Sequence, residues 1–489
     1  MSGAFWREHP LDDDKLREEC GVHGVFGAKN AASVVALGLH ALQHRGQEAA
    51  GIAAWDAEGG RFNTTRRLGY VRDNFTAQDV IDALPGRLAI GHVRYSTAGN
   101  KGATAIRDVQ PLYAEFASGG FAIAHNGNLT NADAIRAELI ERGSLFQSSS
   151  DTETIVHLMA RSIQRTVAER MKDALRRVEG AFSIVAATRT KLIGVRDPLG
   201  VRPLVLGRIG EAWILSSETC ALDIVGATYE RDVAPGEMLI ISEAGVESQF
   251  PFGRRKPRFC IFEYVYFSRP DSVIGGLSVY DTRRRIGVEL AREAPVEADL
   301  VCPVPDSGTP AAIGYSQESG IPYAMGIIRN QYVGRTFIEP AEAIRNMGVR
   351  LKLNVNRAVV AGKRVVLVDD SVVRGTTSRK IREMVLDAGA KEVHLRIASP
   401  PTVWPCFYGV DTPDRDKLMA ATMSEEEMRA HLGVDSIRFV SLDGLYRACG
   451  EATGRDGRAP QFCDACFSGD YPVAPSDRIA QGRIKLAAE

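Results

Sequence analysis

The chain predicts two bodies in series, the first a strand-rich α+β body carrying helices and the second an α/β body of strands alternating with helices. Three observations point to this. Its 489 residues are too many for a single core. Between residues 180 and 250 short apolar runs are separated by Gly and charged turns, which reads as a β meander. Beyond residue 298 apolar runs alternate with segments of helical spacing, the pattern of βαβ units.

The elements follow in order. Residues 30–44 and 151–178 have helical spacing. The strands of the meander are Ala181–Ala187, Lys191–Val195, Pro203–Gly207 and Ala212–Ser216. The basic segment Phe252–Arg258, which contains Pro257, is the candidate junction. Asp299–Val304 then reads as a strand, Pro305–Thr309 as a loop, Pro310–Ser319 as a helix with Pro at its start and Gly320 at its end, and Ala324–Ile328 as the next strand. A second unit spans 363–397: strand Val365–Val368, a turn, and a helix over Ser378–Ala388 stopped by Gly389. Right-handed crossovers between parallel strands place both loops at the carboxyl ends of the sheet, where α/β proteins bind ligands.

Bulk properties narrow the function. A formal net charge of −1 gives no electrostatic footprint for nucleic acid, and no apolar run is long enough to span a bilayer. The first nineteen residues lack an apolar core and carry Asp12, Asp13, Asp14, Glu18 and Glu19, unlike a secretory or organellar signal, so a cytoplasmic location is expected. Eight cysteines in a long intracellular chain point to metal, cluster or catalytic use before disulfides.

The most informative stretch is Val365–Thr377. An apolar strand ends in Asp369 and Asp370 and runs through Ser371, Arg374, Gly375, Thr376 and Thr377 into a helix. Free backbone N–H groups and the positive end of a helix favour anions, and the hydroxyls add donors. The two carboxylates suit either Mg²⁺ held with substrate or the two hydroxyls of a ribose, so a ribose phosphate explains both halves of the motif. The run resembles the phosphoribosylpyrophosphate (PRPP) signature of type I phosphoribosyltransferases.

In the amino-terminal half, Cys20–Gly27, His40–Glu48, His92–Gly99, Ala124–Asn131 and Ser150–Glu153 resemble, in this order, the glutamine domain of N-terminal-nucleophile amidotransferases. With the PRPP signature, the chain resembles the glutamine PRPP amidotransferases over residues 20–475. That resemblance implies an α+β glutamine domain, an αββα sandwich, at 20–254, and an α/β phosphoribosyltransferase domain at 255–475. Residues 1–19 would be a propeptide and 476–489 a tail.

The resemblance also implies roles. Cys20, freed as the first residue, attacks the amide of glutamine, and its own α-amino group shuttles the proton. The side chain of Asn126 and the backbone N–H of Gly127 hold the oxyanion, Arg94 the glutamine carboxylate and Asp151 its ammonium. Asp306, Ser307 and Gly308 hold pyrophosphate. Asp369 and Asp370 hold the ribose hydroxyls and, with Ser307, Mg²⁺, while Ser371, Arg374, Gly375, Thr376 and Thr377 hold the 5-phosphate. Arg329–Pro340, with Arg335 and the later Arg350, Lys352 and Arg357, matches a lid over this site, although Gln331 replaces a basic residue and Asn356 an apolar one.

Cys463-Asp464-Ala465-Cys466, with Cys260 and Cys406, leaves zinc, a redox pair and a cluster open by spacing alone. The flanking Phe259–Ser272, Ser399–Gly409 and Cys463–Phe467 resemble the iron–sulfur subclass, which implies a [4Fe–4S] cluster of structural role. Purine nucleotides as feedback inhibitors and a homotetramer or homodimer are further implications. Two rivals stand beside this reading: an amidotransferase that uses another acceptor, such as fructose 6-phosphate or aspartate, and a non-catalytic PRPP sensor. The PRPP signature argues against the first, and the absence of a visible DNA-binding segment against the second.

Overall fold

The computed structural model describes residues 17–18, 20–95, 103–117, 119–330 and 353–480. The leader before Arg17, the lid from Gln331 to Lys352 with Arg335 and Arg350, part of the His92–Gly99 motif, and the chain beyond 480 lie outside the described residues.

In the amino-terminal half the strands are β1 (Arg17–Glu18), β2 (Gly21–Phe26), β3 (Ala49–Asp56), β4 (Arg61–Leu68), β5 (Leu88–Arg94), β6 (Leu112–Phe116), β7 (Gly119–Leu129), β8 (Gly180–Thr188), β9 (Leu192–Arg196), β10 (Val205–Ile209), β11 (Ala212–Ser216), β12 (Thr228–Asp232), β13 (Met238–Ser242) and β14 (Gly245–Gln249). Apart from β1, they form two antiparallel sheets, in the orders β12-β10-β11-β2-β5-β3-β4 and β14-β13-β9-β8-β7-β6. Val22 and Ile90 of the first meet Ala122, Ala124 and Val185 of the second in a core between them. The helix Ala31–Ala41 lays Val35 and Leu39 on the outer face of the first sheet. Helices Ala132–Glu141, Asp151–Arg161 and Val167–Leu175 cover the second. Both faces of the central strands are thus covered, so β8 is buried along its whole length and reads as a continuous apolar run, not an alternation.

The carboxy-terminal half contains β15 (Phe259–Cys260), the hairpin β16 (Val273–Ile274) and β17 (Leu277–Ser278), then β18 (Leu300–Pro303), β19 (Ile327–Arg329), β20 (Leu353–Val355), β21 (Arg364–Asp369), β22 (Glu392–Ile397), β23 (Val410–Asp411), β24 (Ser436–Phe439) and β25 (Phe462–Cys463). A parallel sheet, β18-β21-β22-β24, forms its centre. The helix Thr309–Ser319 carries Pro at its start and ends at Gly320, which sits in the left-handed region with φ 73°.

Three elements differ from the sequence expectation. The helix expected over 151–178 is two, because Ser162 turns extended and Thr166 starts a new helix by accepting the Glu169 N–H at 3.2 Å. The strand expected at Ala324–Ile328 runs parallel beside Val301 only as a single bridge at Tyr323, and β19 instead pairs antiparallel with β20. Pro322, which has no N–H to give, immediately precedes that bridge. The helix expected from Ser378 begins at Thr376, so Thr376 and Thr377 occupy its first turn.

The two halves touch at both ends of the chain. β1 pairs antiparallel with β23, Glu18 against Val410. Asp477 accepts the N–H groups of Asp133 and Ala134 at 2.8 and 3.1 Å, so the carboxy-terminal tail caps a helix of the amino-terminal half.

Helices Val279–Glu293 and Thr309–Ser319 lie so close that an added Cβ at Gly287 would stand 1.9 Å from the Ala311 carbonyl oxygen, and one at Gly314 1.9 Å from that of Arg284. Gly287→Val is therefore expected to destabilise the chain by about 1–3 kcal/mol, read as a lower urea midpoint with an unchanged slope.

Candidate active sites

Cys20 sits at the head of β2, half-buried, with φ 73° and its N–H on the Arg45 carbonyl at 3.1 Å. Gly21 pairs with Val93 across to β5, which puts Cys20 at the end of the sheet where Arg94 finishes its strand. Arg94 is buried and donates to Asp108 at 3.4 Å, and Asp108 in turn accepts Ser149 N–H and Oγ–H at 2.8 and 2.7 Å. From the second sheet, β7 brings His125, Asn126 and Gly127. Asn126 is fully buried, and neither its amide oxygen nor its amide nitrogen has a hydrogen-bond partner among the described residues. Two orphaned polar atoms in one buried amide are costly unless a ligand meets them. Gly127 has φ 141°, and a Cβ there would stand 2.0 Å from the Ala181 carbonyl oxygen, so no other residue fits.

Asp151 opens its helix and accepts the Leu129 N–H at 2.9 Å, with His125 Nδ1 at 3.6 Å. Burial pushes its carboxyl up, but the His125 charge and the bonds from His125, Leu129 and Thr152 outweigh that and hold it below the ordinary range. His92 joins the two sheets through His125: its Nε2 lies 3.2 Å from the His125 carbonyl. Burial, helped by the Arg94 charge, pushes the His92 imidazole down to about 3, so it is neutral and Nε2 carries its proton to that carbonyl.

Behind Cys20 lies a set of buried charges that sequence reasoning did not single out. Arg45 donates through Nε to Glu218 and through Nη2 to Glu263 at 2.8 Å. Arg202 donates to the other oxygen of Glu263 at 3.1 Å and to the Tyr408 carbonyl at 2.8 Å. All four side chains are wholly buried, and Glu263 belongs to the transferase half. Glu263 has a signal in the sequence, a lone charge inside the apolar run Ile261-Phe262-Glu263-Tyr264-Val265, whereas Arg45 and Glu218 lie among polar neighbours.

In the carboxy-terminal half the loops after β18 and β21 meet. The Val304 N–H reaches the Val368 carbonyl at 2.9 Å, and a Cβ at Gly308 would stand 2.3 Å from that same oxygen. Asp306, Ser307 and Gly308 thus lie beside Asp369 and Asp370. Asp306 is exposed and paired with Arg329, whereas Asp369 and Asp370 are buried. The Asp370 N–H binds Asp369 Oδ1 at 2.9 Å, and Ser371 Oγ–H binds Asp370 Oδ1 at 2.6 Å. Gly375, with φ 77°, makes the turn into the helix Thr376–Asp387, whose first N–H groups have no partner within the helix. Of the expected lid cations Arg329 and Arg357 are described: Arg329 pairs with Asp306, and Arg357 donates to the Asp387 carbonyl at 2.9 Å, at that helix's far end.

The four cysteines singled out from sequence come together. Cys260, Cys406, Cys463 and Cys466 line one cavity with Val201, Phe262, Phe267 and Tyr408. β15 and β25 run parallel with Cys260 opposite Cys463. Burial pushes the Cys260 thiol up to about 12. Cys220, Cys302 and Cys449 are buried and do not line this cavity.

Two reaction centres in one chain, one shaped for the amide of a free amino acid and the other for a sugar phosphate, define a glutamine-dependent transferase. A family model for the glutamine amidotransferase domain matches residues 97–223. The amidophosphoribosyltransferase of Rhizobium etli is 54% identical over 98% of this chain and 96% of its own length. That of Bacillus subtilis is 48% identical over 94% of this chain and 95% of its own. A solved structure, the glutamine PRPP amidotransferase of B. subtilis complexed with ADP and GMP, superposes with a TM-score of 0.87 at 47% identity, covering 93% of this chain and 98% of that one. The chain belongs to the amidophosphoribosyltransferase family: it hydrolyses glutamine and transfers the ammonia to C1 of PRPP, giving 5-phosphoribosylamine, glutamate and pyrophosphate at the first committed step of purine synthesis.

Glu218 offers a pH test of the buried charges. Burial pushes its carboxyl up, but the charges of Arg45 and His44 outweigh it and hold it well below the ordinary value of 4.5. Its stabilising contribution is therefore complete above that value and is lost as pH falls towards the folded value. Glu218→Gln, which leaves Arg45 short of a partner, is expected to cost about 3–5 kcal/mol near neutrality. The gap from the wild type should narrow in urea titrations run at successively lower pH, starting below about 4.5.

Proposed function

We propose that residues 1–19 are removed and that Cys20, as the new amino terminus, is the nucleophile of glutamine hydrolysis. Asn126 carries this reading, because its buried amide has no hydrogen-bond partner among the described residues and would meet the oxygen that gains charge as the thiolate attacks. Gly127 offers its N–H to the same oxygen. Arg94 takes the glutamine carboxylate and Asp151, kept ionised by its neighbours, the ammonium. The Cys20 nitrogen keeps its place on the Arg45 carbonyl, where after processing it can receive and return the thiol proton.

At the second site PRPP lies across the two facing loops. Asp306, Ser307 and Gly308 hold the pyrophosphate, and Asp369 and Asp370 accept hydrogen bonds from the ribose hydroxyls. Ser371, Arg374, Gly375, Thr376 and Thr377 receive the 5-phosphate at the helix start, with Arg335 reaching in from the lid. Mg²⁺ needs only one or two carboxylates when the substrate brings phosphate oxygens, and Asp369, Asp370 and Ser307 fit that demand. When bound there, it supplies positive charge to the departing pyrophosphate. Ammonia passes inside the protein from one site to the other, since free ammonia is mostly protonated at neutral pH.

The same reading assigns the cysteine cavity to a structural [4Fe–4S] cluster. Among the described residues no three His, Cys, Asp or Glu side chains converge as ligands of one ion do. Four thiols spaced around a cavity suit a multi-iron cluster better than a single tetrahedral zinc. Such a cluster would tie the tail at Cys463 and Cys466 to the core at Cys260 and Cys406. Purine nucleotides, whose ribose 5-phosphate resembles that of PRPP, would occupy the transferase site as inhibitors. The cytoplasm and a homotetramer or homodimer complete the reading.

Purified enzyme should begin at Cys20 by amino-terminal mass analysis. Cys20→Ala should abolish glutamine-dependent pyrophosphate release, and Asn126→Ala should lower it by about 10²–10³-fold, while ammonia-dependent release survives in both. Retained glutamine turnover in Asn126→Ala would remove the oxyanion assignment. Cys406→Ser should lower the iron content and visible absorption of the anaerobically purified protein.

A further inference from the structure

The backbone of Gly127 is wedged between the two halves of the chain. On one side stands the Ala181 carbonyl. On the other is Gly409, which has φ 100° and belongs to the transferase half. A Cβ added at Gly409 would come within 3.0 Å of the Gly127 Cα and 3.1 Å of its carbonyl carbon, so two main chains touch there with no side chain between them. The residues around the contact are fixed one after another. Cys406 N–H binds Thr412 Oγ1 at 2.7 Å, the Phe407 carbonyl accepts Asn128 Nδ2–H at 3.0 Å, and the Tyr408 carbonyl accepts Arg202 Nε–H at 2.8 Å. The segment leaves the carboxyl end of β22, where the Ala398 N–H binds the Asp369 carbonyl at 2.8 Å.

We propose that the segment Cys406–Asp411 sets the position of the Gly127 N–H in the glutamine site, with Gly409 as its positioning residue. The inference rests on the reading of Gly127 as an oxyanion donor. A donor of this kind works only if it is already aimed at the place where charge develops, and a displacement of about 1 Å costs up to about 100-fold in rate. Half of the seat that aims it is supplied by the transferase domain. Gly409 is glycine for two separate reasons, its left-handed φ and the lack of room beside Gly127.

Gly450 separates the two. It has the same φ of 100° but nothing within 4 Å of an added Cβ, so Gly450→Ala bears the backbone strain without the contact. In steady-state assays of the full enzyme, Gly409→Ala should lower kcat with glutamine by about 10-fold or more, with KM for glutamine and ammonia-dependent synthesis within about 2-fold of wild type. Gly450→Ala should leave all three unchanged. Should Gly409→Ala fail to fold, Asn128→Leu, which removes the bond to the Phe407 carbonyl, carries the test and should lower the same kcat. Wild-type glutamine kcat in Gly409→Ala, an equal fall in its ammonia-dependent rate, or the same loss in Gly450→Ala overturns the proposal, as does unchanged kcat in a folded Asn128→Leu. If Asn126→Ala abolishes glutamine turnover and Gly409→Ala does not, the oxyanion reading survives and only the positioning role falls.

Discussion

Arg45 is the residue on which the two halves depend together. Its main chain holds the nitrogen of Cys20, while its guanidinium spans Glu218 of the glutamine domain and Glu263 of the transferase domain. Burying such charges is unfavourable in itself, and it is sustained only because each carboxylate has more than one donor. Ser272 and the Arg269 N–H complete Glu218, and Ser268 and Arg202 complete Glu263. The outcome is geometric more than energetic. A network whose two carboxylates are each held by several donors has few alternative arrangements, so Cys20 is located by reference to the neighbouring domain.

The two sites share a second frame of reference in their glycines. Gly308 allows the loop after β18 to lie on the end of β21, Gly375 turns the chain into the helix Thr376–Asp387, and Gly127 admits a peptide where a side chain would strike Ala181. At each of these points the absence of a Cβ is what lets the main chain approach its neighbour or take its turn.

Much of this was legible in the sequence where the signal is local. The apolar run at Val365–Val368, the Gly320 stop and the hydroxyl-rich turn each declare themselves by residue type and period. The carboxylate pair stands out in the same local way, whereas Cys20 and the four cysteines were singled out by the resemblance of the segments around them. What was not legible depends on distant partners. Nothing near Ser162 announces that a helix breaks there, and Tyr323 stops short of a full strand because of what β20 offers to β19. The roles of Arg45, Glu218, Glu263 and Arg202 exist only once segments far apart in the chain meet. His125, likewise, faces Asp151 from within a long strand.

The pairing of β1 with β23 sets an order of events in synthesis. Arg17 and Glu18 leave the ribosome first but find their strand partner only after Asp411 has been made. Until then the stretch just ahead of Cys20 has no template to lie on. A cut whose enzyme, or whose own chemistry, needed this seated strand would have to follow translation, and a chain broken off short of that point would keep its first residues unseated.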